Sequence, residues 1–331
     1  MTIFNVNPTG SDSFFTFAGA LKAAAQIDDQ AEIRLSPGTY WGQITISVPG
    51  VTVTGMGSSP ADTVIKGNLS SREIMPDQKK RGTFRTYTLM VDAPYVTLKN
   101  LTVENTAGPG EAAGQAIALY VDGNGFHGKG CRFLGHQDTL FTAPLPPKEI
   151  EPDGFIGPKQ AAPRINGTHY YENCYIEGGV DFIFGGAAAY FEGCTFCSNE
   201  PGFVFAPSTP QGRPYGYVCR DCRFTASWLP AAGVSSLPDS NPDGPVYLGR
   251  PWRNYAKTVL ISCWIDRHIH PSGWDDWGKI EAQKTVLFAQ YGCLGPGAST
   301  VSWPSWCTSL SKKDLPFYEK EQVLSEAINL L

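Results

Sequence analysis

Six short segments of this 331-residue chain share one register: KNLTVENT from Lys99, KGCRFLGH from Lys129, ENCYIEGG from Glu172, EGCTFCSN from Glu192, RDCRFTAS from Arg220 and ISCWIDRH from Ile261. Each opens on a small or polar pair, passes through Cys or Leu, and reaches a turn after an apolar or aromatic residue. The key positions are Leu101, Cys131, Cys174, Cys194, Cys222 and Cys263, spaced 30, 43, 20, 28 and 41 residues apart. Recurrence at a few tens of residues is what a solenoid produces, one coil per repeat with insertions looping out. The units are short, β-branched and aromatic, and flanked by Gly, Asn and Asp, so they read as strands. Helical periodicity is weak between residues 44 and 300. The expected fold is all-β: a right-handed, single-stranded parallel β-helix whose inward residues stack on their equivalents in the next coil.

Five of the nine cysteines fall on the shared register. They are expected to form a buried ladder of small apolar thiols and not disulfides. The two ends look different. SDSFFTFAGALKAAAQ offers Ser11 to Ser13 as caps for an amphipathic helix of about three turns, which would cover the open end of the core. LPFYEKEQVLSEAINLL reads as a second helix lying against the outside. No linker divides the chain, so residues 1–331 are expected to form one domain, with an inserted loop at about 143–167.

Charged residues make up 17% and hydrophobic ones 42%, the balance of a folded globular protein. With 26 basic against 31 acidic residues the net charge is −5, which disfavours a nucleic-acid partner. No run of eighteen apolar residues exists, so no spanning helix and no membrane partner are expected. Residues 1–15 hold neither a basic stretch nor an apolar run of the kind that directs export. Together with a reduced thiol ladder this sets the expectation of a cytoplasmic monomer, secretion after removal of a leader being the alternative. The sequons at Asn68, Asn100 and Asn166 would matter only in a eukaryotic secretory pathway.

Two carboxylates stand out. Asp181 sits among Val180, Phe182, Ile183 and Phe184, and a carboxyl in such a frame is either turned to solvent, raised in pKa or paired with a cation. Arg250 offers a fork that could hold it bidentately. Gln137 and Asp138 are neighbours, and on a regular strand neighbours face opposite sides. Both can serve one site only if the chain bends there, which GHQDT permits; spacing alone slightly favours a plain polar turn.

The segments GQAIAL (Gly114 to Leu119), QDTLF (Gln137 to Phe141), DFIFG (Asp181 to Gly185) and LGRPW (Leu248 to Trp252) resemble, in order, the signature segments of the pectin methylesterases. GTYWG at Gly38 is similar to an early family segment, although Gly42 stands where the family usually has Glu. The resemblance runs from about residue 3 to the C-terminus. It implies a parallel β-helix with an external cleft and demethylation of pectin or its oligomers with release of methanol. It further implies Asp181 as nucleophile, Asp138 as general acid and base, and Gln115 and Gln137 as oxyanion donors. Arg250 would orient the nucleophile, Trp252 would receive the sugar, and Phe184 and Phe141 would line the cleft. The chemistry requires neither metal nor cofactor; methyl-esterified homogalacturonan or oligogalacturonides are the expected partners.

Three other features were open on residues alone. The five histidines are scattered and read as surface or turn residues. Asp275 and Asp276 read as a solvated turn and not a cation site. Trp264, Trp274 and Trp277 either line the cleft or pack. Other solenoid enzymes fit less well: a polygalacturonase also needs two carboxylates but its motifs are missing, a pectate lyase wants a calcium site, and no G-x-S-x-G marks a serine hydrolase. A thioesterase or a non-catalytic sugar-binding solenoid remains as an alternative.

Overall fold

The residue before each key position has a left-handed backbone: Asn100 (φ 49°), Gly130 (59°), Asn173 (51°), Gly193 (61°), Asp221 (54°) and Ser262 (54°). Asn, Asp and Gly reach this region at low cost, and the bend it makes carries the chain from one sheet into the next. The computed structural model describes residues 1–7, 9–10, 14–229 and 244–325. Among them, three sheets of eleven, eight and seven strands run side by side. All strand pairs within them are parallel. A typical coil passes from Ala188–Glu192 in the first sheet through the bend at Gly193 to Thr195–Ser198 in the second, then to Gly202–Pro207 in the third. Repetition of that path builds the right-handed parallel β-helix.

The interior is a set of columns. Val103, Phe133, Ile176, Phe196, Phe224 and Ile265 occupy one register position of the second sheet in successive coils, and none is more than 1% exposed. The cysteine column lies beside it. Thiols donate to carbonyls of the preceding coil, Cys174 to Gly128 (3.3 Å), Cys194 to Tyr171 (3.3 Å), Cys222 to Phe191 (3.4 Å) and Cys263 to Cys219 (3.5 Å). A small side chain with a weak donor fits where the bend brings two coils together. The register has one more rung than the sequence comparison found: Gly292 (φ 62°) bends the chain before Cys293.

All nine cysteines are free; seven are buried, and Cys293 and Cys307 are half-buried. Thiol titration of the native protein should therefore register at most those two quickly, and all nine after unfolding. Rapid reaction of any of the seven buried thiols, or fewer than nine in denaturant, would contradict this packing.

The N-terminal helix is shorter than its sequence pattern predicts. It spans Phe17–Ala24, with Thr16 as cap, whose Oγ1 accepts the Gly19 backbone N–H (3.1 Å). Ser11 to Ser13 lie outside the described residues. Phe17, Ala20, Leu21 and Ala24 are buried over the end of the core. At the other end a single long helix is not formed. A 3₁₀ turn at Leu315–Tyr318 and one α turn at Lys320–Val323 are separated by extended Glu319 (ψ 150°), and residues 326–331 lie outside the description. Tyr318, Val323 and Leu324 cover Tyr170, Tyr190, Val218 and Val259 on the outer face of the first sheet.

The interval between Asp138 and Asp181 is a single coil, since Leu140 pairs with Ile183 in the third sheet. The two aspartates stand at the same place on neighbouring coils. The extra residues leave after Leu140–Thr142 and return at Thr168–Glu172.

Candidate active site

Asp138 (φ 65°) and Asp181 (φ 49°) both occupy the left-handed bend that leads into the third sheet. Aspartate reaches that conformation at low cost, as it does at the Asp221 bend, so both positions can carry a carboxyl. At 138 the bend also resolves the puzzle of adjacent polar residues, because it turns both Gln137 and Asp138 toward one cleft. That cleft, about 550 Å³, lies on the outer face of the third sheet and is also lined by Gln115, Asp181, Phe184, Arg250 and Trp252.

Arg250 grips Asp181 with two parallel bonds, Nε to Oδ1 (2.9 Å) and Nη2 to Oδ2 (2.7 Å). Bidentate geometry is the strong form of this pair. The guanidinium is itself stacked between Phe203 (3.8 Å) and Trp277 (3.7 Å). Phe203 stands one coil beyond Asp181. Trp277 is held by a turn in which Asp275 Oδ1 accepts its backbone N–H (2.7 Å). Lys279 lies over the same indole (4.0 Å) and donates to the carbonyls of Pro251 (2.7 Å) and Trp252 (3.2 Å), fixing the segment after Arg250. Burial, with Arg253 and Arg250 nearby, pushes the Lys279 ammonium down to about 8.

The two carboxyls are 8% and 6% exposed. Burial pushes Asp138 well above the ordinary carboxylate range, the negative charge of Asp181 adds to this, and Arg250 only partly opposes it. Burial also raises Asp181, but its own guanidinium partner pulls it back. Both carboxyls are thus held above the ordinary range, Asp138 the more strongly because it lacks a cation partner of its own, and unequal surroundings of this kind divide neighbouring acids into a proton-holding and an ionising group.

Gln115 is oriented by a residue that the sequence did not single out. Ser71 Oγ accepts the Gln115 backbone N–H (3.0 Å) and donates to Gln115 Oε1 (2.7 Å). With its carbonyl engaged, the amide nitrogen is left to donate into the cleft. Gln137 is backed by Gly110, where a Cβ would lie 2.9 Å from Gln137 Oε1.

Other expectations divide. Phe184 lines the cleft and meets Trp252 (5.7 Å). Phe141 does not reach it: fully buried, it lies beneath Phe84 (5.0 Å), which descends from the turn Thr83–Arg85. Trp277 belongs to the site, Trp274 is in the core stacked on Phe288 (4.3 Å), and Trp264 lies elsewhere with Arg223. Asp276 is a turn residue, accepting from Gly278 N and Gln283 Nε2. His169 and His268 depart from the surface reading; both are buried, which lowers them to about 3 and about 4. Among the described residues no group of three or more His, Cys, Asp or Glu could hold a metal ion.

Comparison with known proteins matches the sequence and the fold of the chain as a whole. The family model described as Pectinesterase matches residues 4–145 and 165–326. Pectinesterase QRT1 of Arabidopsis thaliana is 30% identical over 328 residues, 97% of this chain and 77% of that protein. Pectinesterase 31 of the same plant is 32% identical over 283 residues, 84% and 78% of the two chains. Among solved structures, a pectin methylesterase from Aspergillus niger superposes with a TM-score of 0.77 at 29% identity, covering 99% of this chain and 95% of that one. Pectin methylesterase from carrot shares the fold with a TM-score of 0.81 at 24% identity, covering 99% and 94%.

Proposed function

The chain belongs to the pectinesterase family, and on that premise we propose that it hydrolyses C6 methyl esters of galacturonan through an acyl-enzyme on Asp181. The observation that carries the reading is a pair of buried carboxyls on neighbouring coils, of which only Asp181 holds a guanidinium. Ionised Asp181 attacks the ester carbonyl and the electron pair moves onto its oxygen. The Gln115 and Gln137 amides donate to that oxyanion. As the intermediate collapses, the C–O bond to methoxide breaks, and Asp138 supplies the proton that makes it methanol. Asp138, now a carboxylate, takes a proton from water, whose oxygen attacks the acyl-enzyme. Collapse releases the galacturonate and restores both aspartates. Trp252 and Phe184 provide flat apolar surface for the sugar.

The test is methanol release from highly methylated galacturonan, with product chains analysed in parallel. Methanol without new reducing ends or unsaturated products supports the reading; chain cleavage without methanol would overturn it. Each oxyanion donor has its own expected effect. Gln115→Leu should lower kcat about 10²- to 10³-fold, the usual cost of one such donor. Ser71→Ala, which frees the Gln115 amide to rotate and removes the acceptor of its backbone N–H, should cost about tenfold and leave KM nearly constant, because orientation matters in the transition state. A Ser71 variant that loses KM and not kcat would remove it from this role.

We further propose that the enzyme acts as a monomer and in a reducing compartment, the second of these supported by the free buried thiols. Cell fractionation and the sedimentation mass test these two points.

A further inference from the structure

The stretch that the family model passes over, residues 146–164, is a built element. Arg164 donates to the carbonyls of Pro146, Lys159, Gln160 and Ala162. Glu149 Oε1 accepts from the Phe155 backbone N–H and from Gln160 Nε2, both at 3.3 Å. Lys159 pairs with Asp92 and Asp122 on the solenoid. Gly157 runs so close to Phe84 that a Cβ there would come within 2.8 Å of that side chain.

From this anchorage the segment reaches the opposite wall. Phe155 is edge-on to Phe84 (5.8 Å) on one side and to Trp252 (6.1 Å) on the other. Arg253 Nη2 donates to the Lys148 carbonyl (3.2 Å). Phe84 precedes Leu89–Val91 and Trp252 follows Val246–Gly249, strands that stand five places apart in the third sheet. The segment thus joins wall elements from distant coils, with Ile150, Glu151, Gly154 and Phe155 facing the cleft between them. The part of the cleft beside the segment, about 550 Å³, is of the size that holds one small ligand (about 300–1,000 Å³).

We infer that residues 146–164 form a strap that confines the enzyme to short methyl-esterified oligomers and chain ends. This deepens the esterase reading above and rests on it. A long polymer can enter an open groove sideways at any ester. A bridged cleft admits it only by threading a free end, so productive encounters scale with ends and not with esters. Phe155 is the specificity-determining residue at the crossing point, and Lys159 is the positioning residue that latches the strap.

The test compares kcat/KM per ester on a methylated oligomer of about six units with that on long methylated polymer, since discrimination is a ratio of these values. Wild type should favour the oligomer by about tenfold or more. At constant ester concentration, cutting the polymer into fragments should raise its rate in proportion to the ends created. Phe155→Ala should narrow the preference several-fold by raising polymer activity. Replacing residues 146–163 with a short glycine-serine linker should bring it to within about twofold. A wild-type ratio near one would overturn the inference, as would a ratio unmoved by Phe155→Ala, which does not depend on the linker variant folding. Methanol from neither substrate would sink the esterase reading and the inference with it; methanol from both without preference sinks only the strap.

Discussion

Asp181→Asn is expected to lower methanol release by about 10⁴-fold or more, because removing the nucleophile of a covalent hydrolase costs up to about 10⁶ in kcat. The amide is isosteric but cannot form the anhydride-like acyl-enzyme with a galacturonyl group. The same change leaves the Arg250 cation facing a neutral partner in a mostly buried position, which is destabilising. Two effects must therefore be separated. Phe203 and Trp277 still clamp the guanidinium from both faces, and Asn can accept one of its two bonds. The variant should accordingly remain folded, with a lower melting temperature, and should still bind a methylated oligomer. Calorimetric binding near the wild-type KM, together with lost turnover, assigns the defect to chemistry. Residual turnover above a few per cent would transfer the nucleophile's role to another group.

How much of this was legible in the sequence depended on whether the signal was local. The coil register could be read because a left-handed bend followed by a small inward residue uses particular residue types: Asn100, Gly130, Asn173, Gly193 and Asp221 all announce it. Cys293 escaped because its segment, QYGCLGPG, ends in glycine and proline where the other segments continue as strand. The order of the signature segments placed Asp138, Asp181, Gln137, Gln115 and Arg250, and the fold brings all five to one cleft. What lies one contact further out was silent. Ser71 and Gln115 are 44 residues apart, and an ordinary serine carries no mark of its partner. Phe141 and Phe184 are register partners on the outer face of the third sheet, and from the chain alone they look equivalent. Phe84, arriving from a turn that has no strand partner, covers one and leaves the other facing the cleft. His169 and His268 look polar in sequence, yet burial holds them neutral.

Asp138→Asn should separate the two halves of the reaction. In the proposed acylation Asp138 protonates the leaving methoxide, whose conjugate acid is weak, and losing that proton donor should lower methyl-ester turnover about 10²- to 10⁴-fold. An ester with a good leaving group, such as 4-nitrophenyl, needs no such proton. The variant should then acylate at Asp181 and stall, since no base remains to activate water. The expected record is a burst of one nitrophenolate per site, followed by slow turnover, with the acyl-enzyme visible in the intact-protein mass. The pH profile supplies an independent check. Wild-type kcat/KM should fall at low pH as Asp181 protonates and at high pH as Asp138 ionises; the high-pH limb should vanish in the variant assayed with the activated ester. Stability should move in the matching direction. A folded-state pKa raised above the ordinary carboxylate value contributes stability that is present below that value and lost as pH rises through the raised one. Asn at 138 carries no such pH-linked loss, so the variant should gain in melting temperature over wild type at pH 8 and hardly at all at pH 4. An equal gain at both values would mean that Asp138 is ionised in the native protein throughout. Acid catalysis by this residue would then be ruled out.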